Sequence, residues 1–520
     1  MSVQAVMAPG LQAPAEQASA PARARTWGSS GWLLLCLAVP AAAVFFGYAY
    51  FLPWIDEGQF VDPGASWHFG QGFTSSAWPY QRPDELFFGN APGFPALLGV
   101  WFDLFGFGLL QARALVWLQA LVAAGLLWVG MRRQAPGMDP LFTAFALAMC
   151  FCGWGVTLSL WSARYDLQGL LLAAAAFAVW TGAAGSLQRP AAFLLGAAVF
   201  PSGFHLVVAA VLAAAVVLFV LGRSAWPRLA WGAAGLAACA LLWMLGLALD
   251  GQLKKFIYLT FGSQHTLSGQ LAQLVVQGDP GVMGKVRNGW RFVLQDPSWT
   301  LVCALLAGVL ALGWRAWAPQ RRQILGWVLG LVLFVPLGLL VVGKFPPYYI
   351  WIGYFPAVLL AAWLADRLPG RLRSAGISAS VLVFALAAAI GVGQRLGEAR
   401  STLAAGDYGR FAAWAGHVPV AGDLVFSDFE AYFAARAAAG RVFTPTYGQT
   451  RLVPGIPEAG RITLLLVQRR NLDKYLTLMG PGPWKVVSRH EGAKDPRLDY
   501  VALRRDDTRT ATACAAGTRC

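Results

Sequence analysis

The stretch WLLLCLAVPAAAVFFGYAYFLP, residues 32–53, carries no charge and runs straight into WIDEGQF, residues 54–60. An apolar run of that length is what a helix needs to cross a bilayer, about 20 residues. Asp56 and Glu57 then fall where such a helix would leave the hydrocarbon. A carboxylate at the edge of a lipid-embedded body is costly unless it is paired, bound or used in chemistry.

Composition agrees with the membrane reading. The chain is 57% hydrophobic and 12% charged, against about 25% charged for a soluble domain, and its mean hydropathy is +0.55. The net charge of +15 sits mainly in short loops between apolar runs, which points to membrane topology and not to nucleic acid. Residues 1–30, rich in Ala, Pro and Gln, read as a disordered cytoplasmic tail. Cys36, Cys150, Cys152, Cys239 and Cys303 lie inside apolar runs, where thiols behave as small hydrophobes.

Runs of span length fall at about 31–52, 109–130, 140–160, 166–185, 229–249, 298–315, 323–343, 347–365 and 374–394. The apolar stretch 190–222 is broken by Phe200-Pro201-Ser202-Gly203 and reads as two short helices. The expected architecture is an all-α polytopic bundle of about eleven transmembrane helices. The segment 91–107, punctuated by Pro and Gly, reads as a juxtamembrane or re-entrant helix. With the N-terminus inside, the inner loops hold Arg132 and Arg133, Arg189, Arg223 and Arg228, then Arg315, Arg321 and Arg322, and finally Arg367, Arg371 and Arg373. This is a consistent positive-inside pattern. It places the loops 53–108 and 250–297 on the outer face of the cell (inner) membrane, with the whole C-terminal part on the periplasmic or extracellular side.

After residue 395 the pattern changes. LVFSDF, ITLLLV, WKVVSRH and DYVALRR alternate as strands do, with helical pieces near 407–416, 428–439 and 471–478. Residues 396–507 are therefore expected to form a small extracytoplasmic α/β domain, and 508–520 a flexible tail. The bundle occupies 31–395.

The polar residues that break the membrane pattern gather on the outer side. Arg113, Arg164 and Lys344 sit at outer span ends, against the topological preference for positive charge, which suggests a local anion. Lys344 precedes Phe345-Pro346-Pro347-Tyr348-Tyr349, where prolines open a helix whose free N–H groups suit a phosphate. His205 follows the Pro201 turn on the same side, and Asp166 starts the next span. Each residue also has a plain reading: Arg164 as a snorkelling cation, Asp166 as a helix cap, Asp56 as the structural partner of Arg113 or Arg164.

In this order and sidedness the motifs resemble the GT-C superfamily of membrane glycosyltransferases. The similarity is to the branch containing protein mannosyltransferases and the aminoarabinose transferase acting on lipid A. The likeness is carried by Asp56-Glu57 after the first span, Arg164-Tyr165-Asp166 before a small-residue helix, and KFPPYYIWIGYFPAVLLAAWLA, residues 344–365. Asp84-Glu85 in QRPDELFFGN departs from the compact first loop of that family. The resemblance implies a sugar donor carried on a polyprenyl monophosphate and transferred to a lipid, protein or polysaccharide hydroxyl. Asp56 would be the base, with Glu57 as its partner. Lys344, Arg164, Arg113, His205, Tyr348 and Tyr349 would hold the phosphate, supported by Asp166. No cofactor is required by this reading, and a divalent metal on Asp56, Glu57 and His265 is left open. The competing expectations are a lipid or glycan transporter and a non-catalytic envelope assembly protein.

Overall fold

A computed structural model describes residues 52–53, 55–78, 81–89, 91–160, 162–182, 186–257, 296–341, 347–405, 408–445, 449–450, 453–454, 458–480, 482–492 and 495–506. The tail 1–30, the first span, Lys344, His265, most of the loop 250–297 and the tail 508–520 lie outside these residues, as does the Tyr348 side chain.

Among the described residues, four helical stretches are long and apolar enough to cross a membrane: Leu109–Gln134, Phe204–Leu249, Ala318–Leu339 and Arg371–Ser401. The second is broken into two helices by a 3-10 turn at Gly222–Ala225. Shorter apolar helices run over Gly93–Phe105, Pro140–Cys150, Asp166–Thr181, Pro297–Gly313 and Trp351–Asp366. Two of them start on an Asp-Pro pair. Asp139 caps the first by accepting from the Phe142 N–H at 2.8 Å, and Asp296 caps the second by accepting from Ser298 N–H at 2.8 Å. In each case the following Pro takes the first helical position, where its missing N–H costs nothing.

Two segments differ from the expectation and a third agrees with it. The run expected to span 140–160 is two helices, Pro140–Cys150 and Trp154–Leu160, parted at 151–153. The break at Phe200–Gly203 is real: Gly203 takes φ 140°, a conformation closed to side-chain-bearing residues, between the helices Gln188–Ser202 and Phe204–Leu221. The segment 53–108, expected as an outer loop, is not simply a loop. Asp56 and Glu57 occupy the first turn of a helix, Ile55–His68, where the dipole favours acids.

That helix is wedged against Gly93–Phe105. A Cβ on Gly64 would stand 2.6 Å from the Pro95 carbonyl oxygen, so only glycine permits the approach.

The last apolar helix, Arg371–Ala405, passes the expected boundary at 395 without a break and delivers the chain to the C-terminal sheet. There the strands are β1 (Val425–Ser427), β2 (Val442–Phe443), the two-residue hairpin β3 (Gln449–Thr450) and β4 (Val453–Pro454), β5 (Leu464–Gln468), β6 (Trp484–His490) and β7 (Tyr500–Arg505). The main sheet has the order β2-β1-β5-β7-β6. Its β2-β1-β5 half is parallel and its β5-β7-β6 half antiparallel. Alternation along β5 divides the interior. Leu465 and Val467 face a local core with Phe426, Phe443 and Tyr475, while Leu464 and Leu466 face a core continuous with that of the helical body.

Polar bonds reinforce the junction. Asp62, fully buried on the acid-bearing helix, accepts from the Tyr432 hydroxyl at 2.6 Å and pairs with Arg436 Nε at 3.2 Å. Its other oxygen accepts from Ser75 Oγ at 2.9 Å and from the Ser76 and Ala77 N–H groups at 2.6 and 3.1 Å. Arg436 also donates to Ser66 Oγ and Gln71 Oε1, at 2.8 and 3.1 Å.

Removing one partner of a buried ion pair leaves an uncompensated charge, at a cost of about 3–5 kcal/mol. Arg436→Met should therefore lower the thermal unfolding temperature of the detergent-purified chain and expose the C-terminal domain to protease. Unchanged melting and protease resistance would show that the apolar junction alone holds the domain.

Candidate functional site

Asp56 and Glu57 are neighbours in sequence but face different partners. Glu57 is buried against Arg113, with side-chain exposures of 1% and 2%. Arg113 Nε and Nη2 donate to its two oxygens, each at 2.8 Å, and the Ala163 N–H donates to Oε1 at 2.7 Å. This bidentate pair pins the start of the helix Ile55–His68 to the helix Leu109–Gln134 and to the turn before Arg164.

Asp56 turns instead to Arg164. Arg164 Nη1 donates to Asp56 Oδ2, and its Nε donates to Asp166 Oδ2 at 2.8 Å. The guanidinium is thus shared between two carboxylates. Asp56 is the open end of this chain, at 23% side-chain exposure against 2% for Arg164 and none for Asp166. Burial pushes the Asp56 carboxyl above its ordinary value. Arg164 opposes that shift, and the charges of Asp166 and Glu57 add to it. A carboxylate that is reachable yet raised in pKa suits proton transfer.

Aromatic side chains gather beside this network. The Tyr165 and Tyr349 hydroxyls are 2.5 Å apart, and the His205 ring stacks on Tyr349 at 4.5 Å and 11°. Phe60, one turn along from Asp56, meets the Tyr165 ring edge-on at 4.5 Å. The Arg164 guanidinium lies 5.9 Å from the Tyr165 ring centroid. Four segments distant in sequence so converge on one patch.

The C-terminal domain covers the same end of the bundle. Gly58 faces the Phe429 and Tyr432 rings. Tyr408, whose hydroxyl donates to the Glu430 carbonyl at 3.4 Å, lies close enough to Arg113 and Glu57 to feel both charges; burial raises its pKa well above the ordinary phenol.

Of the residues expected at a site, Asp56, Arg164, Asp166, His205 and Tyr349 are brought together, with Glu57 and Arg113 directly behind. Asp166 is no helix cap: it is the first residue of its helix and pairs with Arg164. Both arginines expected at a phosphate donate to carboxylates. Reading the sequence missed Tyr165, although it stands at the centre of the Arg-Tyr-Asp motif, and Asp62, the third acid of IDEGQFVD. It also missed Arg436 and Tyr408, which no local pattern marks. The donors do not fit a divalent ion well. Both Glu57 oxygens already accept from protein N–H groups, and Arg164 sits on Asp56. Among the described residues no group of three or more His, Cys, Asp or Glu side chains could hold a metal.

No protein-family model and no curated protein sequence matches the chain. Solved structures do. The crystal structure of ArnT from Cupriavidus metallidurans bound to undecaprenyl phosphate superposes with a TM-score of 0.63 at 15% identity, covering 91% of this chain and 98% of that one. The same protein in the apo state gives 0.62 at 16% identity, covering 92% and 98%. The Archaeoglobus fulgidus oligosaccharyltransferase tethered to an acceptor peptide gives 0.47 at 11% identity, covering 87% and 70%. From the full-length match to ArnT, the chain has the fold of the GT-C membrane glycosyltransferases, the superfamily that its motifs resemble.

Proposed function

We propose that the protein is a GT-C glycosyltransferase that moves a sugar from a polyprenyl-phosphate donor to an acceptor hydroxyl, inverting the anomeric centre, with Asp56 as the base. The observation that carries this reading is the contrast within the carboxylate–arginine network: Glu57, Arg113, Arg164 and Asp166 are sealed, and Asp56 alone among them opens outward. ArnT, whose fold the chain shares, has been crystallised with undecaprenyl phosphate, which supports a donor of that class.

Arg164 holds Asp56 Oδ2 and leaves Oδ1 for the acceptor. As the acceptor oxygen bonds to the anomeric carbon, its proton passes to Asp56 and the carbon–phosphate oxygen bond breaks. The leaving polyprenyl phosphate carries away the electron pair, and donors placed around it stabilise the charge. In this reading His205, Tyr349 and Tyr348 provide that surface together with Lys344, as the family resemblance implies. Arg113 and Arg164 instead hold the two carboxylates in place. The reaction is placed at the outer face of the cell membrane, with a cytoplasmic N-terminus and the sheet domain outside. The acceptor hydroxyl belongs to a lipid, protein or polysaccharide.

Asp56→Asn keeps the shape of the site and removes the base. Transfer from synthetic polyprenyl-phosphate sugars by the purified chain in lipid should fall about 10²–10⁴-fold in kcat with donor binding retained. Wild-type turnover in the variant would remove Asp56 from the role. The pH profile gives a second check. A base acts when deprotonated, so kcat/KM should rise with pH through an acid limb lying above the ordinary aspartate range. Asp166→Asn removes a neighbouring negative charge and should move that limb to lower pH; Arg164→Gln removes the opposing cation and should move it higher. Shifts of the opposite sign would show that another group sets the limb.

A further inference from the structure

Arg228 stands in the first turn of the helix Trp226–Leu249. Its guanidinium lies over the Trp180 ring, 4.8 Å from the centroid, and its Nε donates to Gln188 Oε1 at 3.1 Å. Three helices thus meet at one cation, because Trp180 nearly ends Asp166–Thr181 and Gln188 opens Gln188–Ser202. Two of them are pressed together: a Cβ on Gly235 would stand 1.9 Å from the Phe193 carbonyl oxygen. The ring takes one face of the guanidinium and the amide takes its Nε. Among the described residues no acceptor meets Nη1 or Nη2, and neither is sealed from the surface. A planar cation held in this way presents its terminal fork to a bidentate oxyanion.

This corner lies at the end of the bundle remote from Asp56. Asp166, which shares Arg164 with Asp56, starts the helix that Trp180 nearly ends. The neighbouring helix agrees: Arg113 and Arg133 are separated by about 30 Å of rise along Leu109–Gln134, and Arg133 Nη1 donates to the Ala178 carbonyl at 3.0 Å. Local charge is wholly positive. Residues 182–190 and 222–230 hold Arg189, Arg223 and Arg228 and no acid, and Arg189 and Arg223 are exposed. Arg373, by contrast, is neutralised by Asp366 at 2.7 Å. Further along the helix that carries Arg228, Trp231 and Leu242 are 44% and 70% exposed. Both fall within about 60° of Arg228 around the helix axis. A cationic corner continued by an exposed apolar stripe complements a molecule with an anionic head and hydrocarbon chains.

We propose that this corner seats an anionic phospholipid of the surrounding leaflet. Arg228, braced on Trp180 and Gln188, grips the phosphodiester, Arg189 and Arg223 favour headgroups of net negative charge, and the acyl chains lie along the Trp231–Leu242 stripe. A cation that merely snorkels needs charge alone, whereas a ring platform and an amide brace select the shape of arginine. The seat stands whether or not the chain transfers sugar.

The test uses the full chain, stripped of lipid in detergent and titrated with dioleoylphosphatidylglycerol or dioleoylphosphatidylcholine, with bound lipid counted by native mass spectrometry. Phosphatidylglycerol should bind more tightly than phosphatidylcholine and resist displacement by inorganic phosphate. Arg228→Lys and Trp180→Leu should each weaken phosphatidylglycerol binding about tenfold, the worth of a charge-assisted hydrogen bond. Arg373→Gln, which alters a cation already paired, should leave it unchanged. Arg228→Lys keeps the charge on which insertion depends, and melting of the lipid-free variant at the wild-type temperature would show that its fold is intact. Wild-type affinity in Arg228→Lys would reduce the seat to general charge and overturn it. Equal binding of the two lipids, or displacement of phosphatidylglycerol by inorganic phosphate, would overturn it as well.

Discussion

The carboxylate of Asp62 is the constraint on which the arrangement depends. It is fully buried and gathers partners from three places: donors in the turn at Ser75–Ala77, the hydroxyl of Tyr432 and the ion-paired guanidinium of Arg436. A buried charge with its partners is not a large source of stability, since apolar packing of the same volume would often do as well. Its effect is on specificity. An ionised group in a dry interior tolerates few geometries, so the acid-bearing helix, the outer turn and the C-terminal domain are held in one relative placement. Asp56 and Glu57 sit on that same helix, one or two turns before Asp62, and inherit its position.

Two adjacent acids are thereby given opposite tasks. Successive residues on a helix differ by about 100° in direction, so Asp56 and Glu57 cannot share an environment. Glu57 points into the bundle and is neutralised by a bidentate arginine, while Asp56 points toward the opening and shares its arginine with Asp166. The first arrangement is rigid and chemically inert. The second leaves one carboxylate oxygen unclaimed and a pKa raised by burial.

Much of this was legible in the sequence. Hydrophobic run length located most of the apolar helices. Period-two alternation gave β1, β5, β6 and β7 to within a few residues. The motif residues Asp56, Arg164, Asp166, His205 and Tyr349 do converge. Other features were hidden for physical reasons. The helix Ile55–His68 contains Gly58, Pro63 and Gly64, which as local signals argue for a turn; tertiary packing overrides them. The partition between Asp56 and Glu57 depends on which side of a helix faces Arg113, and adjacent identical charges carry no such information. Arg436 lies in YFAARAAA, which reads as an ordinary surface helix with one solvated cation, and its partner is over 350 residues away in the chain.

The helix Arg371–Ala405 runs on past the expected end of the bundle at 395 without interruption. At 1.5 Å per residue its 35 residues extend about 52 Å, well beyond the roughly 30 Å of hydrocarbon. Such a shaft fixes phase as well as distance. Adding or deleting one residue in its upper part would turn whatever it carries by about 100°, while Arg436 must still meet Asp62. The C-terminal domain is therefore tied to the bundle twice, once along the chain after the helix Arg371–Ala405 and once through the Asp62–Arg436 pair.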